Sequence, residues 1–256
     1  MPTRWDPRVV PQELIDVTRS LGSPEKNLVI LAEGNTSTRL GDDEIVVKAS
    51  GANMAQVSAD DFVIANVPEL LALMDDPEAT QTDLTSALDA GVHQGVRRRG
   101  SIETLVHVAV QSLAPTPYVA HTHPTAIVSL LASVHAATAF DQFVYSDEAA
   151  VIGYTLFVPY AQPGIDLGRV VLEKLRGYFA EHETLPTLVL LGNHGIIALS
   201  DTASGSEAVS LMATKGATVR LNALAAGGVL PLSAESTKKF LARDDVAERR
   251  RNLSGS

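Results

Sequence analysis

The sequence predicts an α/β domain in which helices cover a central sheet that is antiparallel or mixed. Three observations carry this. Apolar runs of strand length turn back on themselves around tight turns, as in Ile45–Lys48 after the GDD turn and in LPTLVLLGNHGIIALS. Stretches of helix length lie between those runs. The elements do not follow the regular strand–helix–strand series of a parallel sheet. With 256 residues and 45% hydrophobic content, the chain can fill one substantial core.

Taken in order, Pro11 to Leu21 reads as a helix closed by Gly22. The stretch LVILAEGNTSTRLGDDEIVVKASG reads as a strand, a GNTS turn, a short strand around Thr38, the GDD turn, a strand at Ile45–Lys48 and a loop at Ala49–Gly51. A strand at Phe62–Ala65 and helices at Val67–Met74 and Thr82–Val96 follow. Ser101 has the chemistry of an N-cap for a helix over Ile102–Ser112. Pro115 and Pro117 break the chain before a strand at Tyr118–His121 and a helix at Thr125–Val134. Then come a strand at Thr155–Pro159, a helix capped by Asp166 and running to about His182, two strands about the Gly192–Gly195 turn, and a long helix at Thr202–Ala226. One domain is expected over residues 1–230. Residues 231–256 are polar and charged, a short helix or a loose tail, with LSGS disordered.

A net charge of −10 gives no general attraction to nucleic acid or to anionic lipid. The run Arg97–Arg99 reads as a solvated helix end, although Gly100 and Ser101 follow it closely enough for it to help an anionic substrate approach. With no cysteine, disulfides, thiolate zinc sites and cysteine nucleophiles are excluded. The first residues hold no apolar signal segment, and no apolar run reaches spanning length, so a cytoplasmic protein is expected.

The chemistry gathers around AHTHPTA, residues 120–126. Side chains two apart on a strand share a face, so His121 and His123 can turn to one cation. His194, in the glycine-flanked turn GNHG, can join them from another part of the sheet. Three histidines with an open position form the layout of a catalytic zinc site rather than a closed structural one. Glu103, near a helix start just ahead of the histidine strand, can ligate the metal or move a proton. His107 lies one helical turn after Glu103 and reads as a packing or pairing residue. His93, His135 and His182 read as surface residues.

Six motifs, AEGNTS, KASG, GSIETLVH, YVAHTHPTA, VPYAQPG and LGNHG, occur in the order and spacing of the class II aldolase/adducin family, the group that includes L-fuculose-phosphate aldolase. The sequence resembles that family over roughly residues 10–225. The pairing of SIETLVH with HTHPTA is most similar to the aldolase modules of rhamnulose-phosphate aldolase fusion proteins. The resemblance implies a three-layer α/β/α sandwich with a mostly antiparallel central sheet, assembled as a homotetramer with active sites at subunit interfaces. It implies metal ligation by His121, His123 and His194, acid/base catalysis by Glu103, and a phosphate pocket at Asn35, Ser50, Gly51 and Ser101. One departure stands out: Ile102 occupies a place where sugar-phosphate aldolases usually carry a second serine, which removes a hydroxyl donor from that pocket. Lys48 is a further cation beside it.

The expected cofactor is a divalent metal. Imidazole favours Zn²⁺, and Mn²⁺, Co²⁺ or Fe²⁺ also suit three histidines and a carboxylate. The expected reaction is cleavage of a carbon–carbon bond in a sugar phosphate or related hydroxy-keto compound, by retro-aldol chemistry through a metal-stabilised enediolate. Two other readings compete: a decarboxylase of the same fold acting on a keto acid or aromatic carboxylate, and an adducin-like binding module without catalysis. Tyr145, Tyr154, Tyr160 and Tyr178 are candidate hydroxyl acids among which the sequence does not choose.

Overall fold

The computed structural model describes Pro2–Ser254. Its centre is an eight-stranded sheet in which β1 (Thr3–Arg4), β4 (Phe62–Asn66), β3 (Glu44–Lys48), β2 (Asn35–Leu40), β7 (Tyr118–Thr122), β10 (Gly195–Ser200), β9 (Leu188–Leu191) and β8 (Thr155–Val158) lie in that spatial order. Every neighbouring pair is antiparallel except β8 with β9.

The sheet is covered on both faces because its strands are apolar on both faces. Along β3, Ile45 and Val47 point to one core while Val46 points to the other, and all three are fully buried. The first core receives α2 (Val67–Asp75), α4 (Thr104–Gln111) and α7 (Ile165–His182), through Leu70, Leu105, Val171 and Leu175. The second receives α1 (Gln12–Leu21), α5 (Thr125–Leu131) and α8 (Ala203–Ala225), through Leu14, Ile127, Ala213 and Ala217. The result is the expected three-layer sandwich. Each fully buried Leu, Ile or Val contributes on the order of 1.5–3 kcal/mol by leaving water.

Several elements differ from expectation. Leu28–Leu31 is no strand. Leu28 is buried in the second core, but its carbonyl accepts the backbone N–H of His123 (2.9 Å) as the chain passes the end of β7. Leu31 then takes a left-handed φ of 54°, which a regular ladder does not accommodate. Asn35, Thr36 and Ser37, expected in a turn, open β2. The expected helix at Thr82–Val96 stops early: α3 (Gln81–Ala87) gives way to a hairpin of β5 (Asp89–His93) and β6 (Val96–Arg99). Gln94 and Gly95 both have positive φ (53° and 77°), the turn that matches strand twist. Arg97–Arg99 therefore lies on a strand rather than at a helix end. Ser101 is not the residue that caps α4; that position belongs to Glu103, whose N–H the Ser101 hydroxyl accepts (3.3 Å). Asp166 is the second residue of α7, not its cap. A helix not foreseen, α6 (Ser146–Ile152), packs on α8, where the buried Glu148 pairs with Arg220.

Beyond α8, α9 (Ala234–Leu241) and α10 (Asp244–Ser254) pack against α6, and Val246 is buried. Of the LSGS segment expected to be disordered, Leu253 and Ser254 close α10, and Gly255 and Ser256 lie outside the described residues. Among the described residues no helix is long and apolar enough to cross a membrane.

Gly195 begins β10 where that strand crosses the end of β7. A β-carbon there would stand 2.4 Å from the Thr122 carbonyl oxygen and 2.9 Å from His123 Cδ2. Gly195→Ala must therefore push two central strands apart. We expect a loss of about 1–3 kcal/mol, read as a thermal midpoint several degrees lower. An unchanged midpoint would mean that the strands do not meet this closely.

Candidate metal and acid–base site

Three strands and one helix end meet at the site. β7 ends at Thr122, with Pro124 in the N-cap position before α5, so His121 is the last inward residue of a ladder and His123 the first beyond it. In register, His121 faces Asn35 on β2 and Ile197 on β10. The β9–β10 turn lifts His194 over the same edge, with Asn193 in the left-handed region (φ 54°) and Gly195 permitting the close approach. Glu103 sits at the N-terminus of α4.

The three imidazoles form a near-equilateral set, with ring centroids 4.6, 5.0 and 4.8 Å apart. The nitrogens His121 Nε2 and His123 Nε2 lie 2.9 Å from each other. Glu103 Oε1 lies 2.8 Å from His194 Nε2, and Oε2 lies 3.3 Å from His121 Nε2. One ligand atom from each of the four residues falls within 4.8 Å of every other. His121 Nδ1 lies 2.8 Å from the Ile196 carbonyl; that oxygen can only accept, so Nδ1 carries hydrogen. In the neutral ring this leaves the Nε2 lone pair directed at the cluster.

Charge describes the same centre. Burial opposes protonation of His121, but the Glu103 carboxylate outweighs it and the imidazole's pKa is raised. Burial likewise pushes the Glu103 carboxyl upward, yet His121 and His194 hold it well below the usual carboxylate range. His123 is pushed down to about 3, by burial first and by His121 second. The Glu103 carboxylate thus favours a cationic His121 beside a neutral His123. Among the described residues, the buried His194 Nδ1 has no hydrogen-bond partner. A donor set of three imidazoles and one carboxylate, too crowded to carry one proton each, suits a divalent cation.

Around the cluster, Asn35 Nδ2 donates to Glu103 Oε2 (3.0 Å) and reaches Ser101 Oγ (3.4 Å). Ser50 and Gly51 are exposed on the loop after β3, and an Ala49–Gly100 bridge sets that loop beside the segment leading to Ser101. Neither hydrogen-bonds the histidine cluster. The Ser50 N–H is taken by the Arg99 carbonyl (2.9 Å), while Gly51 adopts a φ of 81° at the loop's tip.

Of two further site neighbours, Glu33 has no part in the sequence expectations, and His107 is expected there as a packing or pairing residue. Glu33 stands 3.9 Å from His123 Nδ1, able to orient that ring from outside; its only sequence signal is its place beside Gly34 and Asn35. His107 is fully buried, with Nδ1 2.7 Å from Ser37 Oγ and Nε2 on Asn35 Oδ1. The other histidines lie elsewhere: His93 stacks on Trp5, and His135 and His182 are exposed.

Lys48 is also buried, with Nζ donating to the carbonyls of Ala49 (3.2 Å) and Ala52 (2.6 Å) and so tying the loop into shape. Burial pushes its pKa down to about 8, against the pull of Glu103 and Asp61. Between about pH 8 and 10.5 the unfolded chain therefore binds more protons than the folded one, and stability rises with pH. Lys48→Met should abolish a rise of roughly 3 kcal/mol across that window. Urea unfolding of both proteins at the two ends checks this, and equal slopes would refute it.

Comparison with known proteins bears on the family and the fold. The sequence profile described as "Class II Aldolase and Adducin N-terminal domain" matches residues 12–215. An uncharacterized oxidoreductase of Bacillus subtilis (strain 168), YuxG, is 24% identical over 199 residues, which is 75% of this chain but 26% of that protein. The chain thus spans about a quarter of the curated relative it matches. Among solved structures, the N-terminal class II aldolase domain of a conserved Thermoplasma acidophilum protein superposes with a TM-score of 0.62 at 22% identity, covering 82% of this chain and 92% of that one. The L-fuculose 1-phosphate aldolase of Glaciozyma antarctica PI12 superposes with a TM-score of 0.62 at 15% identity, covering 94% and 88%. At these identities the structures speak for the fold.

Proposed function

The chain belongs to the class II aldolase and adducin family, and from that premise we propose that it is a metal-dependent lyase. It cleaves a carbon–carbon bond of a sugar phosphate or related hydroxy-keto compound by a retro-aldol reaction. The observation that carries this reading is the convergence of Glu103 with His121, His123 and His194. The three histidines would hold the cation, with Zn²⁺ first in preference and Mn²⁺, Co²⁺ or Fe²⁺ as alternatives. When bound, the cation supplies Lewis-acid polarisation of the substrate's carbonyl and neighbouring hydroxyl oxygens.

The chain's own residues do the rest. Glu103 takes the proton from the substrate hydroxyl as the bond breaks and returns one to the carbon fragment. Its position at the start of α4 and its two imidazole neighbours keep it ionised until substrate arrives. Asn35 Nδ2 presents a donor on the same side, and Ser101 Oγ, which accepts from it and from the Glu103 N–H, keeps its own hydroxyl hydrogen for substrate. The Gly51 loop, with Ser50, faces solvent beside them and would receive the substrate's anionic group. A homotetramer with sites at subunit interfaces belongs to this proposal; Ile30 and Leu31, exposed on the segment leading to Asn35, would gain cover from a second subunit. So does a cytoplasmic location.

Ile102 favours a second reading, a decarboxylase, because it replaces a hydroxyl that would help bind phosphate. NMR product analysis separates the two. Protein loaded with Zn²⁺ or Mn²⁺ is offered fuculose, rhamnulose and ribulose 1-phosphates, the unphosphorylated sugars, and β-keto and hydroxy-aromatic acids. Dihydroxyacetone phosphate and an aldehyde are expected. Release of CO₂ without sugar cleavage would move the protein to the decarboxylase reading, and a chain that binds no cation would leave a binding module.

A further inference from the structure

The interior of α4 is apolar except at its buried Thr104, His107 and Gln111. Leu105, Val106, Val108, Ala109 and Val110 are all buried, as is His107, at 0% exposure. An imidazole in such a place costs free energy unless both nitrogens find partners. Both do. Ser37 lies at Nδ1 and Asn35 at Nε2, both from β2.

We infer that His107 is a positioning residue that acts on Glu103 through Asn35. This rests on the role proposed for Glu103 above. The direction of every hydrogen bond in the chain follows from one charge. The Glu103 carboxylate accepts only, so Asn35 must turn its Nδ2 toward it. That leaves Asn35 Oδ1 facing His107, where only an Nε2–H can meet it. The bare Nδ1 then accepts the Ser37 hydroxyl proton. Burial, aided by His121, pushes the His107 pKa down to about 3 and keeps the ring neutral, with one N–H to place. In the other tautomer a lone pair would face Oδ1. Asn35 would be driven to flip, setting an oxygen against the carboxylate. The tautomer of His107 therefore decides whether Glu103 is faced by a donor or by an acceptor, and whether the donor next to Ser101 is present.

Two variants and one spectrum test this. His107→Phe fills the space without a donor; His107→Gln can keep an N–H where Nε2 stands. Imidazole ¹⁵N spectra of the wild type should show His107 as the Nε2–H tautomer, with the Asn35 amide resonances moved in His107→Phe and nearly restored in His107→Gln. Turnover should fall about 10–100-fold in His107→Phe, mainly in kcat, with Zn²⁺ still bound. The combined Asn35→Ala, His107→Phe variant should be no worse than Asn35→Ala alone. An Nδ1–H tautomer would overturn the inference, as would additive losses or a folded His107→Phe protein with wild-type turnover and an unmoved Asn35 amide. If His107→Phe does not fold, the wild-type tautomer and His107→Gln still decide. The spectra need no substrate, so a wild type that cleaves no carbon–carbon bond would refute the proposed function while leaving this hydrogen-bond chain to stand or fall by itself.

Discussion

Glu103→Gln is expected to retain the fold and the bound metal and to lose 10²–10⁴-fold in turnover, the usual contribution of a positioned acid–base group. The substitution is nearly isosteric. It preserves an oxygen that can accept from Asn35 Nδ2, now 3.0 Å away. What it removes is the charge that His121 and His194 share, and with it the ability to take a proton. Because the carboxylate's low pKa arises mainly from those imidazoles overcoming burial, a cation in the same place would sustain it. Turnover by the glutamine variant equal to wild type would end the assignment. Loss of folding would point instead to a structural pairing with His194.

His121→Ala is expected to lose metal and activity together. His121 is the most enclosed of the four residues and is held by the Ile196 carbonyl behind it, so no neighbouring side chain can move into its place. Metal analysis after dialysis against excess Zn²⁺ should fall from about one equivalent to a small fraction. A thermal melt supplies a second readout. In wild type, saturating Zn²⁺ at about 100 times its dissociation constant should stabilise the fold by about 2.7 kcal/mol, and the variant should show little gain. Stoichiometric zinc in His121→Ala would show that the ligand set is wrong.

Much of this site is legible in the sequence because it depends on local rules. Two-residue periodicity puts His121 and His123 together, and glycines either side of Asn193–His194 announce a tight turn at a sheet edge. Asn35 shows where such reading stops. In GNTS it has the composition of a turn, yet it opens β2 because its partners in the ladder come from β7, distant in sequence. Leu28–Leu31 fails in the opposite sense: its apolar side chains signal burial, and burial is what they get, without a strand. Gln94–Gly95 is an unusual spelling of a hairpin turn, so Thr82–Val96 looked helical throughout. His107 could be placed next to Glu103 by helical spacing, but its polar contacts both lie on β2, and only the packed α4–β2 contact reveals them.

The position of β7 has a kinetic consequence. It is an interior strand, paired with β2 and β10, and it carries His121 into the middle of the sheet. Segments of this sort open only when the whole domain opens. The backbone amides of Ala120 and His121 should therefore be among the last to exchange with deuterium, while those of the exposed Ile30 and Leu31, on the segment between Leu28 and Asn35, exchange early. The exposed approach to the cluster is then free to adjust on short timescales, against a strand bearing His121 whose lifetime is that of the native state.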